Sequence, residues 1–292
     1  MRKLELINNR NQVLDLLNNK DKFILVGAEA LHGIDTDIIE SETPYADGTI
    51  IDSVKALPRG IELRFKLRGN VKTSIDYLTS IVKSKQYVTL REVEGDRDLT
   101  IKGIVTIPPY SRMEQSCEVT ISIYCNQPYW ETAENIAAYL SEIFDKLYFP
   151  MVGLGFLAEG RPFGEFGNTI KSVIDNNGDT TVGMIIKLTA TGDVVNPKLS
   201  CDTGDQKGWY MALNLALKSN DEVVISTVKN NKYIRINGLE EYNGEPIISK
   251  LEFEGNDWLQ LEVGENIFYM TTANDETNKN VNCIISYKGR YE

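Results

Sequence analysis

His32 is the single histidine of the 292-residue chain. Any Ser–His–Asp or Cys–His arrangement would have to use it, because the imidazole is the base that activates such nucleophiles. It follows the apolar stretch Ala28-Glu29-Ala30-Leu31, and no GxSxG elbow supplies a serine. A packing role is therefore expected for His32. One histidine also leaves a histidine-based metal site short of ligands. The four cysteines, Cys117, Cys125, Cys201 and Cys283, show no CxxC spacing, so the usual zinc and redox signatures are missing. Cys117 and Cys125 end one alternating segment, which when extended holds them beyond disulfide reach. All four are expected to be buried free thiols, acting as small hydrophobes.

The remaining candidates for chemistry are weaker. Gly153-Leu154-Gly155-Phe156-Leu157-Ala158 fits GxGxxA, a loose dinucleotide fingerprint. Phosphate capture at such a turn needs a strand before it and a helix after it. Phe149-Pro150 and Arg161-Pro162-Phe163-Gly164 provide neither, so the segment reads as a linker. Asp35 with Asp37, and Glu92, Glu94, Asp96 and Asp98, could be acid–base pairs or calcium ligands, but solvated turns are the expectation. Asp175–Asp179 lacks the other ligands of an EF-hand loop. No catalytic residue, metal or cofactor is expected. The aromatics Tyr129-Trp130, Trp209-Tyr210 and Trp258 lie near strand ends or turns. Such rings stack on sugars, and they equally anchor cores and interfaces. Trp209, Tyr210 and Trp258 are the candidate binding residues if the chain is a carbohydrate-binding adhesion module.

Charge narrows the partners. Against 31 basic residues stand 42 acidic ones, for a net −11. Nucleic-acid affinity comes largely from neutralising phosphates, so specific nucleic-acid binding is not expected. The same sign disfavours anionic membrane surfaces. No apolar run approaches 18 residues, and the N-terminus lacks the apolar core of a secretory signal. The expectation is a soluble protein made in a cytoplasm.

These residues must be positioned by a mainly β chain. In Cys117–Cys125 (CEVTISIYC), strict alternation sets one buried face against one wet face. Gly60–Arg68 repeats the pattern, with Ile61, Leu63, Phe65 and Leu67 inward. Tyr87–Val93 and Asp98–Ile107 read as a hairpin turning at Glu94-Gly95-Asp96-Arg97. Two helices are expected: Val71–Val82, with Asn70 as N-cap, and Ala133–Leu147, with Thr132 as cap. The glycine-rich stretch Tyr148–Gly167 reads as the entry to a second domain. Beyond it, short strands are expected at Thr169–Ile174, Val182–Thr189, Tyr210–Leu217, Glu222–Val228, Tyr233–Asn237, Ile247–Phe253, Trp258–Val263 and Ile284–Tyr287. Asn-, Asp- and Gly-rich turns separate them, as in an all-β sandwich. The domains are placed at 1–148 and 149–292. The strand Lys3–Ile7 and the hairpin at Gly95 are candidate edges for subunit pairing.

The order of these patches carries a resemblance. Pro58-Arg59-Gly60 leads into the alternating strand, then come one helix and a hairpin. Cys117–Cys125 runs into Asn126-Gln127-Pro128-Tyr129-Trp130. The glycine-rich crossover, Phe166–Leu199 with its Asn196-Pro197, and Leu217–Gly238 follow. In this order the chain resembles the distal tail protein family of siphophages and related prophages of Gram-positive bacteria. Asn220-Asp221-Glu222 departs from the Gly-Asp frequent there. The resemblance implies an N-terminal β-sandwich-like domain that closes a homo-hexameric ring, and a galectin-like C-terminal sandwich facing outward. It implies a virion structural protein of the tail tip, or baseplate, that serves host adsorption and is assembled in the bacterial host cytoplasm. The implied partners are the major tail tube protein and the tail-associated hub protein or lysin, with receptor-binding proteins in some phages. The family has no catalytic residues. The acidic charge adds the expectation of a neutral to acidic ring lumen, which would not hold passing DNA.

Overall fold

The computed structural model describes residues 2–42, 47–107, 118–140, 143–145, 164–166, 170–255, 258–274, 278 and 280–292. Cys117, the GxGxxA segment and the Asn256-Asp257 turn lie outside the described residues. The chain divides into one unit of Met1–Ala133 with Arg290–Glu292, and a second of Glu134–Gly289.

In the first unit the strands are β1 (Lys3–Asn8), β2 (Val13–Asp15), β3 (Phe23–Glu29), β4 (Thr36–Glu42), β5 (Thr49–Ala56) and β6 (Arg59–Leu67). Helix α1 (Val71–Ile81) follows, then β7 (Tyr87–Glu94), β8 (Arg97–Ile107), β9 (Glu118–Cys125) and β10 (Trp130–Thr132). The main sheet runs β2-β1-β7-β8-β9-β6-β3, and β10 joins β8 to the C-terminal strand Arg290–Tyr291. Alternation in β6 is strict: Arg59, Ile61, Leu63, Phe65 and Leu67 are buried and the residues between them exposed. Its apolar residues meet their like on β9, as Ile61↔Ile123, Leu63↔Ile121 and Phe65↔Val119. Phe65 also meets Phe23 edge-to-face, with ring centroids 5.3 Å apart. Each such side chain contributes roughly 1.5–3 kcal/mol by leaving water. The β7–β8 hairpin turns at Gly95-Asp96, where Gly95 takes φ +60, a first turn position that glycine tolerates without strain.

The Asn70 side chain caps α1 by accepting the Thr73 N–H at 3.3 Å, as its sequence position implies. Leu78 and Ile81 turn into the core, and the Ser74 hydroxyl donates to the Arg68 carbonyl. The second expected helix is not formed. Residues 136–140 and 143–145 are strands, and Thr132 lies in β10 instead of capping anything. Ile136, Leu140, Ile143 and Phe144 have helical spacing, but Ala138 and Leu140 also fit a period of two. Pairing with Val281–Tyr287 decides between them, because tertiary context overrides local propensity. The expected open edge at Lys3–Ile7 is also absent. β1 is flanked by β2 on one side and β7 on the other.

The second unit holds β11 (Ile136–Leu140), β12 (Ile170–Asn176), β13 (Met184–Ala190), β14 (Lys198–Cys201) and β15 (Tyr210–Leu213). It continues with β16 (Glu222–Ser226), β17 (Tyr233–Ile236), β18 (Leu251–Glu254), β19 (Gly264–Thr271) and β20 (Val281–Tyr287). They form two five-stranded antiparallel sheets, β11-β20-β13-β16-β17 and β12-β19-β14-β15-β18. Met184, Ile186, Leu188, Val223, Ile225 and Ile285 from the first sheet share one core with Leu199, Met211, Leu213, Phe268 and Met270 from the second. Two sheets closing over one core make the expected β-sandwich. The Asn176–Asp179 turn forms around the Asn176 side chain, which accepts the Gly178 N–H and donates to the Thr180 carbonyl. Two expected strands differ. Ile247–Lys250 is a 3-10 turn ahead of β18, and Trp258–Val263 contributes only a bridge at Leu261 while the strand begins at Gly264.

Candidate assembly surface

Strands β4 and β5 pair with each other over seven residue pairs, from Thr36↔Ala56 to Glu42↔Thr49, and with no other described strand. Every residue of this ribbon is exposed except Ala56, which is half-buried. Its apolar side chains are large. Exposure ranges from 49% at Ile38 and Ile39, through Ile50 and Ile51, to 60% at Val54. Two-stranded ribbons are marginal alone in water, and a cluster of exposed β-branched residues marks an interaction surface. Register places Ile38 opposite Val54, and Ile51 opposite Glu40. The bulge between Ile39 and Glu40 leaves Asp52 unpaired, and Asp52 accepts a hydrogen bond from the Ser41 hydroxyl.

A clamp fixes the root of this arm. Leu31 is buried, and its carbonyl accepts two buried donors: Arg59 Nη1 at 2.8 Å and Trp130 Nε1 at 2.8 Å. Ala30 before it takes φ +53, a left-handed conformation costly for a residue with a Cβ. The backbone bond from Leu57 N–H to the Asp35 carbonyl, 2.8 Å, closes the base. His32 stacks on Trp130 with centroids 6.1 Å apart and approaches Glu92 to 3.3 Å. Glu92 is buried and takes the Arg2 guanidinium at 2.7 Å. Buried carboxylates need such partners. Burial lowers the pKa of Arg59 and pushes the Cys125 thiol, its cross-strand neighbour, up to about 11. Nε and Nη2 of Arg59 have no hydrogen-bond partner among the described residues.

His32 is thus part of the clamp, and its side-chain contacts among the described residues are Arg2, Glu92 and Trp130. None is a nucleophile. Asp98 forms a two-pronged pair with Arg91, at 2.8 and 2.5 Å, which holds its carboxyl below the ordinary value. Among the described residues no group of three acidic, cysteine or histidine side chains is placed to hold a metal. Cys125, Cys201 and Cys283 are free and buried.

The structure also locates the aromatic candidates, Trp209, Tyr210 and Trp258. All three are half-buried, and Trp209 and Trp258 pack against the sandwich core. The Trp209 ring lies on Gly255, where an added Cβ would come within 2.3 Å of it. Lys198 Nζ sits 3.7 Å from the Tyr210 ring centre, and Lys232 Nζ sits 5.7 Å from that of Trp258. Sequence reasoning did not single out the arm. Ile38-Ile39 and Ile50-Ile51 among acidic and hydroxyl residues were its only signal.

Residues 177–291 match the family model of the siphovirus-type tail component, C-terminal domain. The fold is similar over nearly its full length to the crystal structure of Dit from phage SPP1, described as a paradigm of the hub adsorption apparatus in phages infecting Gram-positive bacteria. That likeness covers 98% of each chain with a TM-score of 0.62 at 13% identity. A chain of the phage p2 baseplate in its activated conformation aligns over 99% of each chain at 13% identity, with a TM-score of 0.48. None of the curated proteins compared matches this sequence.

Proposed function

We infer that this chain is a phage distal tail protein, a structural component of the tail tip. The carrying observation is the match of residues 177–291 to the siphovirus-type tail component domain. The fold shared with SPP1 Dit over both units supports extending the reading to the whole chain. The function proposed is architectural. Copies of the first unit close a six-membered ring that joins the tail tube protein to the hub protein or lysin, and the sandwich unit faces outward, where receptor-binding proteins attach in some phages. No catalysis is assigned.

The arm supports self-assembly. Five exposed isoleucine and valine side chains on a clamped ribbon suit a contact made with another copy. A protein of this role sits at the distal end of the tail after assembly in the bacterial host cytoplasm. Antibodies raised against the sandwich unit should label the tail tip of virions in electron micrographs. Labelling along the shaft or on the head, or none on intact virions, would remove the assignment.

A further inference from the structure

Opposite the arm in chemistry is a recess of about 260 Å³ between the β1–β2 turn and the end of α1. Its lining includes Arg10, Lys83 and Lys85 and no acidic residue, in a chain of net charge −11. None of the three cations forms an ion pair among the described residues. The recess walls are held in place. Asn8 is buried, accepts the Arg10 and Gln12 N–H groups and donates to the Ile81 carbonyl. Gln86 accepts the Lys83 N–H and donates to Asn9. Val13 and Tyr87, the chain neighbours of the lining residues Gln12 and Gln86, are 51% and 67% exposed.

The arm offers the complement. From Thr36 to Ala56 it carries Asp37, Glu40, Glu42, Asp47 and Asp52 against one cation, Lys55, interleaved with its open isoleucines. Thr36–Glu42 and residues 49–55 are exposed, so these strands do not occupy their own chain's recess. We propose that the arm of one copy seats in the cationic recess of the next, its carboxylates meeting Arg10, Lys83 and Lys85 and its isoleucines covering Val13 and Tyr87. Arm and recess are different patches, so the contact is head-to-tail, the kind that closes into rings. This rests on the ring reading above and adds the receiving surface to it.

Charge reversal tests it. One variant carries Arg10→Glu, Lys83→Glu and Lys85→Glu; the other carries Asp37→Lys, Glu40→Lys and Glu42→Lys. All six positions are exposed, so each variant should fold, as circular dichroism will verify. Light scattering across a concentration series should show assembly weakened by roughly tenfold or more in each alone, because like charges then face each other. An equimolar mixture of the two should regain assembly, since each arm then meets a recess of opposite sign. Wild-type assembly in both single variants, or loss without rescue in the mixture, would overturn the arm-in-recess contact while leaving the ring intact as a reading. A wild-type chain that stays monomeric even with tail tube and hub proteins present would remove the ring reading and this contact together.

Discussion

The β4–β5 arm and the β6–β9 ladder are built from the same residue types and end in opposite environments. In the ladder Ile61, Leu63 and Phe65 are fully buried against Ile123, Ile121 and Val119. In the arm Ile38, Ile51 and Val54 stay open to water. Alternation explains the ladder: every second residue is apolar, so one face can close on the core. The arm places isoleucines in adjacent pairs, Ile38-Ile39 and Ile50-Ile51, so both of its faces are apolar and neither can be closed by a single neighbour. The ladder stabilises one chain, whereas the arm is made for contacts outside it. In the sandwich the aromatic candidates are partly covered: Trp209 lies on Gly255, and Lys198 and Lys232 sit over the Tyr210 and Trp258 rings.

The largest effect is expected in the ladder. Phe65→Ala removes a fully buried ring in contact with Phe23, and it should cost about 3–5 kcal/mol in urea unfolding. A loss below about 1 kcal/mol would mean the ladder is not what holds the unit. The clamp should rank next. Trp130→Phe keeps most of the ring but removes the buried donor to the Leu31 carbonyl, at about 1–1.5 kcal/mol. It should also speed limited proteolysis within residues 30–57, where the arm's root is released. Unchanged cleavage there would separate the clamp from the arm.

A smaller effect belongs to pH. The Arg91 hydrogen bonds hold Asp98 below the ordinary carboxylate value, so its folded pKa lies under its unfolded one of about 3.9. That contribution is complete above the unfolded pKa and fades as pH falls through the folded one. Both side chains are about a third or more exposed, so screening keeps it under about 1 kcal/mol. Asp98→Asn should therefore lower stability at pH 7 and converge on wild type near pH 2. A constant gap across that range would contradict the pairing. The smallest effect on the monomer is expected in the arm. Ile38→Asp with Ile51→Asp should move stability by less than about 0.5 kcal/mol, because neither side chain is buried, yet abolish assembly in light scattering.

Much of this was legible in the sequence where one local rule decides. Alternation gave β6 and β9, the Asn70 cap gave the start of α1, and Gly95 gave the hairpin. The order of elements carried the family resemblance. What failed depended on distant partners. Residues 133–147 carry a helical stripe, but pairing with Val281–Tyr287 makes a strand of its first part. β1 looked like a free edge because nothing local announces β2 and β7 on its two sides. The His32 packing role followed from the lack of partners for catalysis, while its neighbours Glu92, Arg2 and Trp130 come from segments up to 98 positions away that only the fold unites. The arm went unread because exposed isoleucines break the pattern by which strands are recognised.

The measurement closest to the central claim is negative-stain imaging of the purified chain, alone and with its tail tube and hub proteins, paired with light scattering. Closed rings of six copies with a central hole are expected, lost in the Ile38→Asp, Ile51→Asp variant while its fold is retained. Monomers under all of these conditions, or rings that the arm variant forms as readily as wild type, would contradict the claim.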